Sequence, residues 1–472
     1  MHLKTLLALA ALAAATEFAG AQGEGAAAQA PAPVPAQAPG ASPGQAPAAA
    51  PALSLDEVIA KAVSNQPLIL QAEASVAAAK AKEEQAKSAY LPTVSAAASY
   101  LYLWPQEGEE LNFKPYLPID IQAPLTPLNM LDFHVGANML IYDFGKRELQ
   151  VKIAASGVDA AGIGIDQIKT SIAFQAAQVF DSALFLRDEI KAIDEQLATL
   201  QQHLEDTQKR EETGSSTHLD VLTTQVRLAS VKSLRIDAEG QYAKQMIALK
   251  ELMGLADADG FDIQGDFSLA PSLGDAKAVL ETAMSQRPDL AQSLSAEKQA
   301  QLALSLAKLG HMPTISTQAE AGVKNGVLTF TNTDVDTLLF NWDFGLMVSV
   351  PVFDGLLTER RSAEAAARLA AARSGTEALR RSVETQVLQA LQDLESSHEQ
   401  TLNSMAQLDQ AQEALNMAKV QYDIGVGTNL EYLDSQTSLE LAKLNNLSAT
   451  YRELLSQLQL KQTLGTRLWE KG

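Results

Sequence analysis

The sequence predicts a mainly α-helical protein that carries a membrane β-barrel segment and is built as a duplicated helix-strand-strand-helix-helix repeat. Three observations predict it. A glycine-punctuated turn occurs twice at a fixed spacing; the hydrophobic period changes from helical to alternating and back within each copy; and a secretory start precedes a chain with no apolar run long enough for a transmembrane helix.

The turn is clearest at Tyr422 to Asp434, YDIGVGTNLEYLD, between two long helix-forming runs without proline; no proline follows Pro351. The same turn stands earlier as TGSSTHLDVL, Thr213 to Leu222. Gly214 matches Gly425, Thr217 matches Thr428, Leu219 matches Leu430 and Asp220 matches Glu431, all at one offset (425 − 214 = 211). Each turn therefore closes a long antiparallel helical hairpin. Asp143 of YDFG and Asp354 of FDG keep the same offset, as do Gly254 and Gly465. Upstream, Pro67 pairs with Pro288, and LPTVS at 91 to 95 pairs with MPTIS at 312 to 316, now at 313 − 92 = 221. The first copy thus holds ten extra residues (143 − 92 = 51 against 354 − 313 = 41) in its segment richest in Pro, Gly and acid, which reads as a loop.

Residues 1–21 read as a signal peptide, with Lys4, an apolar core from Leu6 to Ala15 and Ala19-Gly20-Ala21 before the cleavage point. Residues 22–52, almost all Ala, Pro, Gly and Gln, read as a disordered leader. The first structural repeat is expected over 53–254. Leu55 to Tyr90 is helical with a break at Pro67, and Pro92 ends it. Alternation then predicts a strand over about 93–104, with Val94, Ala96, Ala98, Tyr100, Tyr102 and Trp104 on one face. A proline-rich loop over 105–130 leads to a strand over about 132–143, where Phe133, Val135, Ala137, Met139 and Ile141 share a face. After Gly145 a helical period runs for about seventy residues, a rod of roughly 100 Å at ~1.5 Å per residue. Its apolar positions from Ile172 to Thr207 fall at spacings of four and three, a coiled-coil seam. The second repeat, 272–465, repeats this with strands at about 314–323 and 343–353; residues 466–472 form a tail.

Strands of ten to twelve residues with one apolar face, and Tyr100, Tyr102, Trp104 and Trp342 near their ends, suit a tilted membrane crossing with an aromatic girdle. A soluble β-sandwich capping a helical bundle is the alternative. Four strands cannot close a barrel and open edges are not tolerated in lipid, so the membrane reading requires several chains. The net charge of −21 argues against nucleic acid as a partner.

The chain has no cysteine, no phosphate-cradling glycine loop and no nucleophile elbow, and its six histidines do not cluster. His218, two residues from Asp220, reads as a solvated turn histidine. No cofactor or metal site and no enzyme are read.

Taken together, NQPL, QRPDL, LPTVS, MPTIS, VPVFDG and the two turns resemble, in order and spacing, the TolC-like outer membrane efflux protein family over about residues 53 to 465. The resemblance implies a homotrimer whose chains together give a twelve-stranded barrel in outer-membrane lipid and a twelve-helix periplasmic tunnel. It implies a passive export duct of tripartite efflux or type I secretion, supplied by a periplasmic adaptor (membrane fusion) protein and an inner-membrane pump or ABC exporter. A secreted coiled-coil adhesin or structural scaffold is the alternative. Position by position, the family's adaptor-docking tip falls on Gly214, Thr217, Leu219, Gly425, Gly427, Thr428 and Leu430, and its periplasmic gate on Asp220, Tyr422, Glu431 and Asp434. Well-known members carry an arginine where this chain has Gly427, so the resemblance implies a looser resting entrance here.

Overall fold

The computed structural model describes residues 52–102, 110–112, 122–124, 129–255, 260–266, 275–325 and 337–470. The expected signal peptide, nearly all of the leader, Trp104 and most of the 105–130 loop lie outside the described residues.

In chain order the elements are β1 (Ala52–Leu53), α1 (Leu55–Asn65), α2 (Pro67–Ser88), β2 (Thr93–Tyr102), β3 (Glu110–Asn112), β4 (Gln122–Pro124) and β5 (Asn129–Tyr142). Next come α3 (Lys146–Glu212), α4 (His218–Leu252), β6 (Asp262–Ile263), α5 (Ala276–Gln286) and α6 (Pro288–Lys308). β7 (Thr314–Lys324), β8 (Leu339–Ser349), α7 (Leu357–Asp423) and α8 (Asn429–Leu464) complete the chain. Pro67 and Pro288 occupy the first turn of α2 and α6, where a missing N–H costs nothing and the fixed φ suits the helix.

The long helices start in the same way in both halves. Two successive residues take positive φ, Phe144 and Gly145 before α3 and Gly355 and Leu356 before α7. In each case the preceding aspartate accepts from the backbone N–H four residues on: Asp143 from Arg147 at 2.7 Å, Asp354 from Thr358 at 2.9 Å. α3 and α7 both run for 67 residues, on the order of 100 Å. The Ile172 to Thr207 seam is turned inward: Ile172, Ala176, Ala183, Leu186, Ile193, Leu200, Leu204 and Thr207 are buried. One apolar cluster joins α3 to α1, α2, the end of α4 and β6 through Ile172, Phe180, Val58, Ile69, Leu249 and Ile263. A second, around Leu200, Leu204, Val221, Leu228, Tyr432 and Leu433, joins the two hairpins.

The main sheet has the order β2-β5-β7-β8, antiparallel throughout. Its register places Ala96, Val135, Ala321 and Trp342 in one row and Ala98, Phe133, Val323 and Phe340 in the next, an apolar face continuous across all four strands. Ser95, Gly136, Glu320 and Asp343 make a polar row on the other face. Among the described residues no helix is long and apolar enough to cross a membrane.

Some sequence expectations need correction. The fourth strand covers 339–349 rather than 343–353, since Phe340 and Trp342 already lie on its apolar face and pair with Val323 and Ala321. The 105–130 segment is not wholly irregular, because β3 and β4 pair within it. β1 starts at Ala52, a residue assigned to the leader, and pairs in parallel with β6, in a connection for which no strand was expected. Within the tail, Leu468 and Trp469 pack on Ile59, Ala173 and Ala177, and Arg467 reaches Asp166 at 2.9 Å.

Candidate functional site

The two hairpin turns are built alike. α3 is capped by Thr213, Gly214 takes φ +75°, and the N–H groups of Ser215 and Ser216 donate to the Arg210 carbonyl at 2.7 and 3.1 Å. α7 is capped by Ile424, Gly425 takes φ +78°, and Val426 and Gly427 donate to the Gln421 carbonyl, both at 2.9 Å. A left-handed residue that closes orphan carbonyls at a helix end is where glycine costs least. A Cβ on Gly214 or Gly425 would meet nothing within 4 Å, so the dihedral and not crowding selects glycine there. Gly427 differs. A Cβ there would lie 3.1 Å from Gln421 Cβ and 3.2 Å from the Gln421 carbonyl carbon, tight enough that a larger residue must shift the turn.

The returning helices begin with reciprocal caps. Thr217 Oγ1 accepts from Asp220 N at 3.2 Å while the Asp220 carboxylate accepts from Thr217 N at 2.9 Å and Thr217 Oγ1 at 2.7 Å. Thr428 and Glu431 repeat the arrangement, with the Glu431 carboxylate accepting from Thr428 N at 2.8 Å and Oγ1 at 3.0 Å. Burial works to raise the Asp220 pKa, but hydrogen bonds from Thr217 and Ser216 outweigh it and hold the carboxyl below its usual value. The Thr428 amide and hydroxyl likewise hold Glu431 below its usual value.

Between the hairpins lies a small aromatic and polar cluster. His203, buried on α3, places Nε2 2.7 Å from Asn429 Oδ1 and its ring 4.5 Å from that of Tyr432. Tyr432 stacks on Tyr422 with centroids 5.6 Å apart, and the Arg210 guanidinium lies over the Tyr422 ring at 4.6 Å. Arg210 also reaches Asp423 at 3.2 Å, and Arg227 on α4 stands 3.6 Å from Asp434 on α8. Desolvation pushes the His203 pKa down, so the ring stays neutral at pH 7.

The structure thus brings Tyr422 into a cluster with His203, Tyr432 and Arg210. It places Asp220 and Glu431 in their own helix caps and leaves Asp434 on the surface beside Arg227. Leu219 and Leu430 are exposed at the turns, as are Leu222, Val226 and Val426. His203, Arg210, Arg227, Asn429 and Tyr432 were not singled out from the sequence; each has a partner on the other hairpin, and no motif links the two.

The outer membrane efflux protein family model matches residues 58–255 and 279–466. The chain is 24% identical over 427 residues to "Outer membrane protein TolC" of Vibrio cholerae, covering 88% of this chain and 91% of that protein. To "Pyoverdine export outer membrane protein OpmQ" of Pseudomonas putida it is 24% identical over 420 residues, covering 87% and 85%. Its fold is similar to that of CusC (TM-score 0.72, 18% identity, 87% of this chain and 92% of that one). It is likewise similar to the outer membrane protein VceC of Vibrio cholerae (TM-score 0.70, 18% identity, 87% and 96%). Two glycine-turned hairpins of matching construction, a four-stranded sheet with one apolar face and a family match in both halves lead to one conclusion: the chain belongs to the outer membrane efflux protein family and is an outer-membrane export duct.

Proposed function

We propose that three copies of this chain close a twelve-stranded barrel in outer-membrane lipid, continued into the periplasm by twelve helices, and that the assembly is a passive conduit without catalysis. The observation that carries this reading is the sheet. Four strands with a continuous apolar face end in two edge strands, β2 and β8, that pair with no further strand among the described residues, and lipid offers no hydrogen bonds to an open edge. The hairpin turns form the periplasmic tip. There Gly214, Thr217, Leu219, Gly425, Gly427, Thr428 and Leu430 receive a periplasmic adaptor (membrane fusion) protein, which couples the duct to an inner-membrane pump or ABC exporter. Exposed Leu219, Val226, Val426 and Leu430 offer apolar contact for helices of that partner. Asp220, Tyr422, Glu431 and Asp434 form the gate, with Glu431 and Asp434 repeated around the axis as acidic rings. The net charge of −21 is unsuited to nucleic acid. The mass of the full chain solubilised from outer membranes in detergent tests the assembly: three chains are expected, and a monomer or dimer would overturn it.

A further inference from the structure

The polar face of the main sheet breaks its own pattern near the helices. Beyond the row of Ser95, Gly136, Glu320 and Asp343 comes the row of Thr93, Asn138, Gln318 and Gly345, and then Leu140, Ser316 and Met347. A water-filled barrel interior calls for polar side chains on this face, yet Leu140 and the exposed Met347 stand on it. Gly345 is equally unexpected. Its φ is not positive, and a Cβ there would meet nothing within 4 Å, so neither backbone conformation nor crowding selects glycine. A glycine inside a strand weakens it and leaves room for a ligand to approach the backbone. Together these residues bound a cavity of about 670 Å³, a size that suits a drug-sized molecule. Leu140 and Met347 line one end, Asn138 and Gln318 the side, and Asp343 the other end. Among the described residues that line it, Asp343 is the one titratable group. Glu320 is turned aside: its Cγ lies 3.5 Å from where a Gly136 Cβ would stand, and its Oε1 accepts from Gln318 Nε2 at 2.6 Å.

We infer that this cavity on the lumen face of the sheet binds amphipathic monocations of drug size, with their apolar rings against Leu140 and Met347 and their charged centre toward Asp343. The inference rests on the barrel proposed above and adds a binding site inside it, separated from Glu431 and Asp434 by the 67-residue length of α7. The chemistry of the lining selects the class. An anion meets Asp343 and a chain of net charge −21, whereas a divalent ion needs several oxygen ligands and finds thioether and alkyl groups instead. Met347 is flexible and polarisable, so it accommodates rings of different shape. The Asn138 and Gln318 amides supply the few polar contacts that orient a bound molecule. A site in a conducting path must release what it holds, and a single carboxylate on an open wall binds weakly enough to do so.

Equilibrium binding of ethidium, a planar aromatic monocation, to the full-length protein in nanodiscs of zwitterionic lipid tests the site, with fluorescence anisotropy as the readout. The tip carboxylates are removed first with Glu431→Gln and Asp434→Asn, so that binding there does not contribute. In this background one ethidium per chain should bind saturably. Adding Asp343→Asn, which keeps the shape and removes the charge, should weaken binding about tenfold, the loss of one charge-assisted contact. Adding Gly345→Leu, which fills the cavity, should abolish it; if that protein does not assemble, the isosteric Asp343→Asn decides. Fluorescein, aromatic but anionic, should not bind, and tetramethylammonium, charged but without rings, should not displace ethidium. Undiminished affinity with Asp343→Asn would overturn the site, and saturable binding of fluorescein or displacement by tetramethylammonium would overturn the ligand class. No saturable ethidium binding to a protein that conducts in planar bilayers would overturn the inference and leave the duct standing. A parent protein that forms no channel would overturn the duct and the inference with it.

Discussion

Arg227 Nη2 lies 3.6 Å from Asp434 Oδ1 and ties the returning helix of the first hairpin to that of the second. The two side chains are 39% and 63% exposed, so the pair contributes no more than about 1 kcal/mol to stability. Its effect should be on the entrance. Arg227→Ala is expected to leave the unfolding temperature nearly unchanged and to raise single-channel conductance in planar bilayers. Unchanged conductance would mean that the ion pair does not restrain the hairpins.

Gly425 sits at φ +78° with open space around it. A leucine there is strained by roughly 1–2 kcal/mol and projects an apolar branch from the turn. Gly425→Leu should abolish export in cells while trimers still form at normal yield. If trimer yield falls instead, the glycine serves the turn alone and not docking.

Asp181, buried on α3, has its carboxyl pushed up to about 7 by desolvation, an effect that Lys461 only partly opposes. An acid whose folded pKa lies above its unfolded value binds more protons folded than unfolded, so its contribution to stability falls as pH rises from about 4 to 7. Asp181→Asn should therefore raise stability at pH 8, by roughly 1–3 kcal/mol, and change it little at pH 4. Thermal unfolding of the two proteins at both pH values measures this; equal gains at both would assign the effect to something other than the buried charge.

His203 gives a slope of the opposite sign. Its pKa is depressed by burial, so the unfolded chain takes up a proton first as pH falls below the ordinary histidine value, and stability is lost in that window. Unfolding followed between pH 7 and 5 should show a loss in the parent protein that is smaller in His203→Gln, which keeps an amide for Asn429. An identical loss in both would place the acid sensitivity elsewhere.

What was legible in the sequence follows from what is local. The matching of YDFG with FDG is visible because each motif carries an aspartate cap and a glycine in the left-handed pair that follows it, and the turns are visible because glycine and threonine stand where the backbone needs them. Strand faces could be read because side chains alternate, although strand ends could not: β8 begins at Leu339 because β7 is there to pair with it. The gate was legible only in part. Asp220 and Glu431 were identified as acids at the tip, but their use as N3 caps was not recognised although Thr217 and Thr428 stand three residues before them. His203 and Asn429 are 226 positions apart, and no periodicity or motif links them. The packing of Trp469 was missed because so short a segment carries no period of its own.

The most direct test of the export-duct account is planar-bilayer recording of the purified protein, alone and with Glu431→Gln and Asp434→Asn combined. Glu431 is held below its usual pKa by Thr428, so its charge persists at neutral pH and is lost only as pH falls through that lowered value. Glutamine can still occupy the cap at this position, so the substitution removes charge without removing the turn. The expected result is a cation-selective channel whose selectivity and block by multivalent cations fall in the double variant. Full selectivity in the double variant would remove these carboxylates from the permeation path, and the absence of any channel from the parent protein would contradict the duct.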